Sequence, residues 1–502
     1  MNFRLYSFGS LVFVFVFALY FFTRSPGLDE LDSVQFAMGV GQFDLWRNQP
    51  HPPGYPLYIF FGWAAQMFCK WDPVFSLHVA SCLGGALFVT TWFLICRTQF
   101  NETFGWWIAS TLAVTPVLWL SATKPMTDAL AAGLLGAQLL CSLRYRRSAN
   151  DRYLILAALA GAAAAGVRPQ FFAVVLVVLL VALFQVRARR RDWWIAITLL
   201  VAGCLVWLLP MSYLQWKLHP EIPWWQVYPR LIWQQWNWRL EEPSVYIGAH
   251  NAWKLSYLTN RIYSHFAGWF ILGLGLWRST LTLVAGSLLV ALGVATYLFR
   301  LREEDREFWK QNWAWATLHI LIIFCSLPWE PRYYLPIFPL LLVPITFGLL
   351  RLPGFWKVTA GGLPVLLLCI SIPLAIDHHS REAPATRFAR YLQDRYAPQE
   401  RPNVLLVLNH CFRHVQWYAP GFAIVTGISS LADADQQTLN QTETIYTDDP
   451  DLKLTPDWHL VPLARFTCSD VINLKLGDIS LSKVEPSDSD LGEQIIIRPG
   501  RK

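Results

Sequence analysis

The chain has 502 residues, of which 54% are hydrophobic and only 15% charged, with a formal net charge of +7. Its mean hydropathy is +0.34, whereas a soluble chain of this size would carry about a quarter charged residues. This balance excludes an ordinary water-soluble enzyme. Because the basic residues sit in short loops between apolar runs, the positive charge is a topological signal and not a nucleic-acid one.

A helix needs about 20 mostly apolar residues to cross a bilayer. The first candidate, Leu5–Phe22, lacks a small-residue cleavage site and is long for a signal-peptide core, so it is expected to stay as a span. Gly54–Phe68 is apolar but short, and follows a proline-rich entry. Val74–Cys96, Phe104–Leu120, Thr127–Leu143, Tyr153–Val167, Gln170–Val186 and Trp193–Leu209 then read as spans. Next comes the polar stretch Met211–Phe266, where Trp216, Trp224, Trp225, Trp233, Trp236, Trp238 and Trp253 suit helices lying at the headgroup level. Thr280–Phe299, Trp313–Leu327, Tyr334–Leu350 and Val358–Ile376 bring the expected spans to eleven.

Loop charge orients them. The basic loops Arg144–Arg152, Arg187–Arg191, Arg300–Lys310 and Arg351–Lys357 share one side only if Gly54–Phe68 does not cross. The N-terminus is then cytoplasmic, and Gly54–Phe68 is expected to lie along the membrane. The outer face receives residues 24–53, the 122–126 turn, the Arg168-Pro169 turn, 211–266, 328–333 and the C-terminal region. From Asp377 onward ordinary soluble patterning begins. Ala385–Tyr396 reads as an amphipathic helix, and Val404–Leu408 and Gln494–Arg498 read as strands. The expected fold is an all-α polytopic membrane domain, residues 1–376, followed by a small exoplasmic α/β domain, residues 377–502. Seven of the nine cysteines lie in apolar stretches. Cys411 and Cys468 lie in the polar region, where an exported domain leaves a disulfide between them open.

The segment Leu28–Tyr58 is the most informative. It follows the first span and holds Asp29, Glu30, Asp32 and Asp44. For Asp29 and Glu30, a solvated membrane flank is an even alternative to a catalytic role. Asp32 differs because it opens an apparent helix, DSVQFAMGVGQF, which would present its carboxylate near the membrane surface. After that helix come Phe43-Asp44 and then His51-Pro52-Pro53-Gly54-Tyr55-Pro56 entering an apolar helix. Further on, Lys124 and Asp128 stand in SATKPMTDA at the mouth of a span, where charge is costly unless it faces a water-filled cavity; helix capping is the competing role for Asp128. Arg168-Pro169 interrupts one long apolar run. Arg332 lies in PWEPRYYLPIFP beside Tyr333 and Tyr334. For both arginines, a side chain snorkelling to the interface is the alternative to an anion contact.

The pattern D-x-x-x-[YF]-A, then an aromatic-Asp pair, then [KH]-P-P resembles the first external loop of GT-C glycosyltransferases, and within them the aminoarabinose-transferase and protein-mannosyltransferase group. Asp32, Phe36, Ala37, Phe43, Asp44 and His51 through Pro56 carry the match. The resemblance implies that Asp32 acts as base or orients the acceptor, that Asp128 is the second acidic residue, and that Arg332 opens a late span of the family. In the other register, Asp29-Glu30 are the family's acidic pair. His51 replaces the Lys of many relatives, so a phosphate contact there needs a protonated ring or a neutral N–H donor. The substrate-binding set is therefore His51, Lys124, Arg168, Arg332, Tyr333, Asp44 and Tyr55. The implied donor is a polyprenyl-phosphate sugar in a plasma or inner membrane, with the acceptor open. No cofactor is otherwise indicated, though the acidic residues leave room for a divalent metal. Two rival classes are a multi-span transporter, for which no internal repeat is present, and an inactive component of envelope polysaccharide export.

Overall fold

The computed structural model describes residues 3–241, 303–325, 331–351, 354–434, 444–454, 458–467, 479–486 and 495–497, with a few isolated positions besides. The chain forms two compact units. One joins Met1–Arg24 to Gly39–Ala375, and the other joins Ser25–Met38 to Ile376–Lys502.

The first unit is helical. Its elements begin with α1 (Phe3–Phe22), α2 (Leu31–Gly41, whose first turns belong to the second unit), α3 (Pro56–Cys69) and α4 (Pro73–Gln99). There follow α5 (Glu102–Ala113), α6 (Pro116–Ala122), α7 (Thr127–Ser148), α8 (Asp151–Val167), α9 (Phe172–Gln185), α10 (Arg190–Leu218) and α11 (Trp224–Glu241). Later come Glu303–Cys325, a 3₁₀ turn over Pro331–Ile337, Phe338–Arg351 and Phe355–Ser380. At the centre, α4 packs on α7 through glycines: a Cβ at Gly84 would collide with the Leu130 backbone, and one at Gly133 with the Gly84 carbonyl. Close approach of this kind holds helices together where no hydrophobic effect acts between them.

Large apolar side chains remain exposed along α1 (Leu11, Val14, Phe15) and α10 (Trp194, Val201, Leu205, Val206, Leu209). Continuous faces of this sort are not left against water; lipid is their solvent. Among the described residues three helices are long and apolar enough to cross a membrane on those grounds alone, α4 and α10 among them. The pair α5–α6, bent by 64°, adds a fourth if read as one crossing. Other expected spans form shorter apolar helices, such as Ser7–Phe22, Pro169–Gln185 and Arg332–Gly348. Thr280–Phe299 lies outside the described residues, and the expected count of eleven is not reached by length alone.

Three boundaries differ from the sequence expectation. The single span read at Phe104–Leu120 is broken, because Pro116 forces Thr115 into extended backbone (φ −69°, ψ 126°) and α5 ends before it. The span read to Leu209 runs on through Pro210 to Leu218. The charged stretch read as the loop Arg300–Lys310 is helical from Glu303. Helix α3, at 14 residues, is about 21 Å long, short of the ~30 Å hydrocarbon core.

The second unit is α/β. Its six-stranded sheet has the order β2-β1-β3-β5-β4-β6, with β1 (Val404–Val407), β2 (Ala423–Val425), β3 (Thr444–Thr447), β4 (Trp458–Phe466), β5 (Ile479–Pro486) and β6 (Ile495–Ile497). Strand β1 is parallel to both β2 and β3, and β5 is antiparallel to β3 and β4. All four residues of β1 are buried, as a central parallel strand covered on both faces requires. Helix Pro384–Arg395 turns Ala385, Phe388, Ala389 and Leu392 into one of the two cores, the i, i+3, i+4, i+7 stripe of an amphipathic helix. Cys411 is a free, buried thiol in that core; Cys468 lies outside the described residues.

Candidate functional site

Asp128 stands in the first turn of α7 and is 2% exposed. A helix N-terminus favours a carboxylate, but burial this deep needs a cation as well. Two are supplied. Arg168 Nη1 is ion-paired to Asp128 Oδ1, and Arg332 Nε lies 3.8 Å from Oδ2. Arg168 sits where α8 ends: Pro169 cannot continue the helix, and Arg168 itself is extended (φ −143°, ψ 91°). Arg332 comes from the 3₁₀ turn Pro331–Ile337. Tyr333 lies against both guanidiniums, with its ring centroid 4.4 Å from Arg168 and 5.6 Å from Arg332. Its carbonyl accepts a 2.9 Å bond from His319 Nε2. Four residues singled out in the sequence thus meet: Asp128, Arg168, Arg332 and Tyr333.

A second polar group joins His51 and Tyr55. His51 Nε2 is 2.9 Å from the Tyr55 hydroxyl, which also accepts from Gln170 Nε2 at 3.4 Å. Gln170 follows the Arg168-Pro169 break, so one chain turn serves both groups. The Gln170 Oε1 atom is buried without a hydrogen-bond partner. From here an apolar cavity of about 550 Å³ opens, lined by Pro53, Pro169, Gln170, Phe172, Leu205 and Tyr228 among others. The Tyr228 hydroxyl donates to the Pro53 carbonyl at 2.7 Å, tying α11 to the proline-rich entry.

Supporting contacts fix the turn before Asp128. Ser81 Oγ of α4 donates to the Met126 carbonyl at 2.9 Å and accepts from the Met126 amide at 3.1 Å. The Tyr58 hydroxyl of α3 lies 2.9 Å from the same Ser81 Oγ. Lys124 is half-buried in this turn. Ser81, Tyr58, Gln170 and His319 were not singled out in the sequence. Gln170, a polar residue at the break of an apolar run, was the one visible signal; a serine in an apolar helix carries none.

Asp44 makes its own set of contacts. Its Oδ1 accepts from the amides of Trp46 and Arg47 at 3.0 and 3.3 Å and lies 3.0 Å from His219 Nε2, while Arg47 Nε is 3.5 Å from Oδ2. This carboxylate organises a turn and makes no contact with the Asp128 cluster. Asp29, Glu30 and Asp32 belong to the second unit, on the segment 25–38. Asp32 lies in the first turn of α2, which starts one residue earlier than the sequence suggests, and Asp29 Oδ2 is 3.4 Å from His378 Nδ1. Among the described residues no group of three His, Cys, Asp or Glu side chains is arranged to hold a metal ion.

Two comparisons say what the chain is similar to. Residues 48–193 match the sequence profile of the Protein O-mannosyl-transferase TMEM260 N-terminal domain, and the fold is similar to that of a solved glycosyltransferase-type membrane protein, ArnT. In particular, the structure is similar to that of ArnT from Cupriavidus metallidurans bound to undecaprenyl phosphate, with a TM-score of 0.52 and 13% identity over 96% of this chain and 98% of that one. The apo form of the same ArnT gives 0.52 and 13% over 94% and 97%. A mycobacterial arabinofuranosyltransferase, AftD, gives a TM-score of 0.42 and 14% identity over 98% of this chain and 40% of that one. No curated protein matches the chain in sequence.

Proposed function

We propose that the chain is a membrane glycosyltransferase that takes its sugar from a polyprenyl-phosphate donor on the exoplasmic face. The observation that carries this reading is the junction of the apolar cavity with the polar group of Gln170, which is bonded to Tyr55 and follows the Arg168-Pro169 break. An amphiphile with an anionic head and a branched hydrocarbon tail matches that junction. The isoprenoid fits among Phe172, Leu205, Trp207 and Leu208, and the phosphate suits the planar forks of Arg168 and Arg332, with His51 and Lys124 as further contacts. An ArnT with the same fold was crystallised with undecaprenyl phosphate, which supports the donor class. The profile matched by residues 48–193 is named for O-mannosyl transfer, which supports sugar transfer as the reaction.

In this reading an acceptor oxygen bonds to the anomeric carbon as the bond from that carbon to the phosphate oxygen breaks. The polyprenyl phosphate leaves with the electron pair, its charge met by guanidinium groups. A carboxylate takes the acceptor's proton. Asp32 is assigned that role, with Asp29 in the other register. The acceptor is an envelope lipid, glycan or protein.

Binding of undecaprenyl phosphate to purified protein tests the junction from both ends. Arg332→Ala should weaken it more than Arg332→Lys, which keeps charge but loses the fork. Leu205→Trp, which fills the cavity, should weaken it as well. Inorganic phosphate should compete only weakly, since it has no tail. Wild-type affinity in both Arg332→Ala and Leu205→Trp would remove the donor reading.

A further inference from the structure

The acidic segment is folded as part of the C-terminal unit, and its backbone is gripped there from two sides. Thr386 Oγ1, on helix Pro384–Arg395, donates to the Leu28 carbonyl at 2.7 Å. The Tyr418 hydroxyl, at the end of helix Phe412–Tyr418, accepts from the Leu28 amide at 3.1 Å. Leu28 and Thr386 are both fully buried. Gly27 leaves room for the grip, since a Cβ there would stand 3.1 Å from the Tyr418 hydroxyl. Tyr418 is itself held: the Arg390 guanidinium lies 5.2 Å from its ring centroid, and Arg390 Nε is 2.9 Å from Glu382 Oε1. One residue beyond the gripped peptide, Asp29 Oδ2 meets His378 Nδ1 at 3.4 Å.

We infer that Thr386 and Tyr418 are positioning residues: by fixing both hydrogen-bonding groups of the Leu28 peptide position, the C-terminal domain sets where Asp29, Glu30 and Asp32 stand. Both halves of this backbone grip come from side chains of the C-terminal region, more than 350 residues away in sequence. Only three residues separate Leu28 from Asp32, and α2 starts at Leu31. Little slack therefore remains between the grip and the helix that carries Asp32. A buried backbone group that loses its partner stays desolvated and is costly to leave so, so the segment would move and not merely lose a contact. The inference rests on the catalytic reading of the acidic segment in the proposed function, and it gives the C-terminal domain a part in that chemistry.

The test uses full-length protein in lipid nanodiscs. Thr386→Val and Tyr418→Phe each remove one hydroxyl while keeping the shape of the side chain; Thr386→Ser restores the hydroxyl. Two quantities are read: amide hydrogen exchange over residues 25–33, and single-turnover consumption of whichever polyprenyl-phosphate mannose, arabinose or glucose the wild type uses. Exchange should quicken about three- to tenfold per bond lost, with binding of undecaprenyl phosphate unchanged. Turnover should fall by roughly the same factor, well short of the ~10²–10⁴-fold expected of a lost base, and Thr386→Ser should recover most of it. Unchanged exchange in both variants overturns the grip. Quickened exchange with wild-type turnover overturns the positioning role. If Asp32→Asn and Asp29→Asn both transfer normally, it is the catalytic reading of the segment that fails, and exchange alone then decides whether the domain holds it.

Discussion

Replacing Asp128 by Asn puts the buried cluster under its most direct strain. Asp128 and Arg168 have side chains 2% and 8% exposed, so neither charge can turn to water when its partner goes. At 3.8 Å, the attraction of Arg332 to the same carboxylate is about 4 kcal/mol for an effective dielectric of ~20, before desolvation is subtracted. Breaking a buried pair by removing one partner costs about 3–5 kcal/mol. Asp128→Asn should fall in that range, because it takes the shared carboxylate from two guanidiniums at once. Arg168→Gln should cost less, since Asp128 keeps Arg332. The double variant should cost less than the sum of the two single ones, a coupling of at least ~1 kcal/mol between neighbours in one network. The assay is thermal melting in detergent, followed by dye labelling of the buried cysteines. Undecaprenyl phosphate sharpens it: a bound phosphate would stand in for the missing carboxylate, so the ligand should raise the melting temperature of Asp128→Asn more than that of wild type. Additive single costs, with equal ligand shifts in variant and wild type, would refute both the network and the anion site.

Asp32→Asn should leave folding and undecaprenyl phosphate binding intact while cutting single-turnover transfer ~10²–10⁴-fold, and Asp29→Asn should be milder; the reverse order would move the base to Asp29. A reporter active only outside the cytoplasm, fused after Asp377, should be active; activity of a cytoplasmic reporter instead would invert the topology. His414 is fully buried in the second unit, and burial lowers its pKa from 6.5 to about 4, partly opposed by the Leu28 backbone. The unfolded chain therefore takes up this proton first as pH falls. The stability of the unit should be full above pH 6.5 and decline between 6.5 and 4, by up to ~3 kcal/mol. Hydrogen exchange in that unit at pH 7 and pH 5 reads this, and a wild-type pH dependence persisting in His414→Phe would assign it to other groups.

What could be read in the sequence was whatever has a local signature. An Arg-Pro break in an apolar run, an acidic helix start and a Pro-Pro entry are all visible within a few residues. The structure brings Arg168, Arg332, Tyr333 and Asp128 together from them. Pairings across the chain leave no such trace. Nothing near Ser81 announces that it holds the Met126 turn, 45 residues away. The partnership of the Asp44 carboxylate with His219, 175 residues on, leaves no local trace either. The C-terminal elements emerged close to where periodicity put them, since Phe388 and Leu392 mark a helical stripe and Val404–Val407 a buried strand. That the segment 25–38 folds with them was hidden, because a backbone held at Leu28 asks nothing of its own side chains.

The discontinuity of the second unit also has a meaning in time. The ribosome makes Leu28 early and Tyr418 390 residues later, an interval of roughly 20–80 s at ~5–20 residues per second. Throughout that interval the first span can already be in the bilayer while the acidic segment has neither of its holders. A chain whose synthesis stops before Thr386 would insert its membrane helices and never set that segment. In biosynthetic terms, a later-made unit supplies the holders of an earlier-made segment.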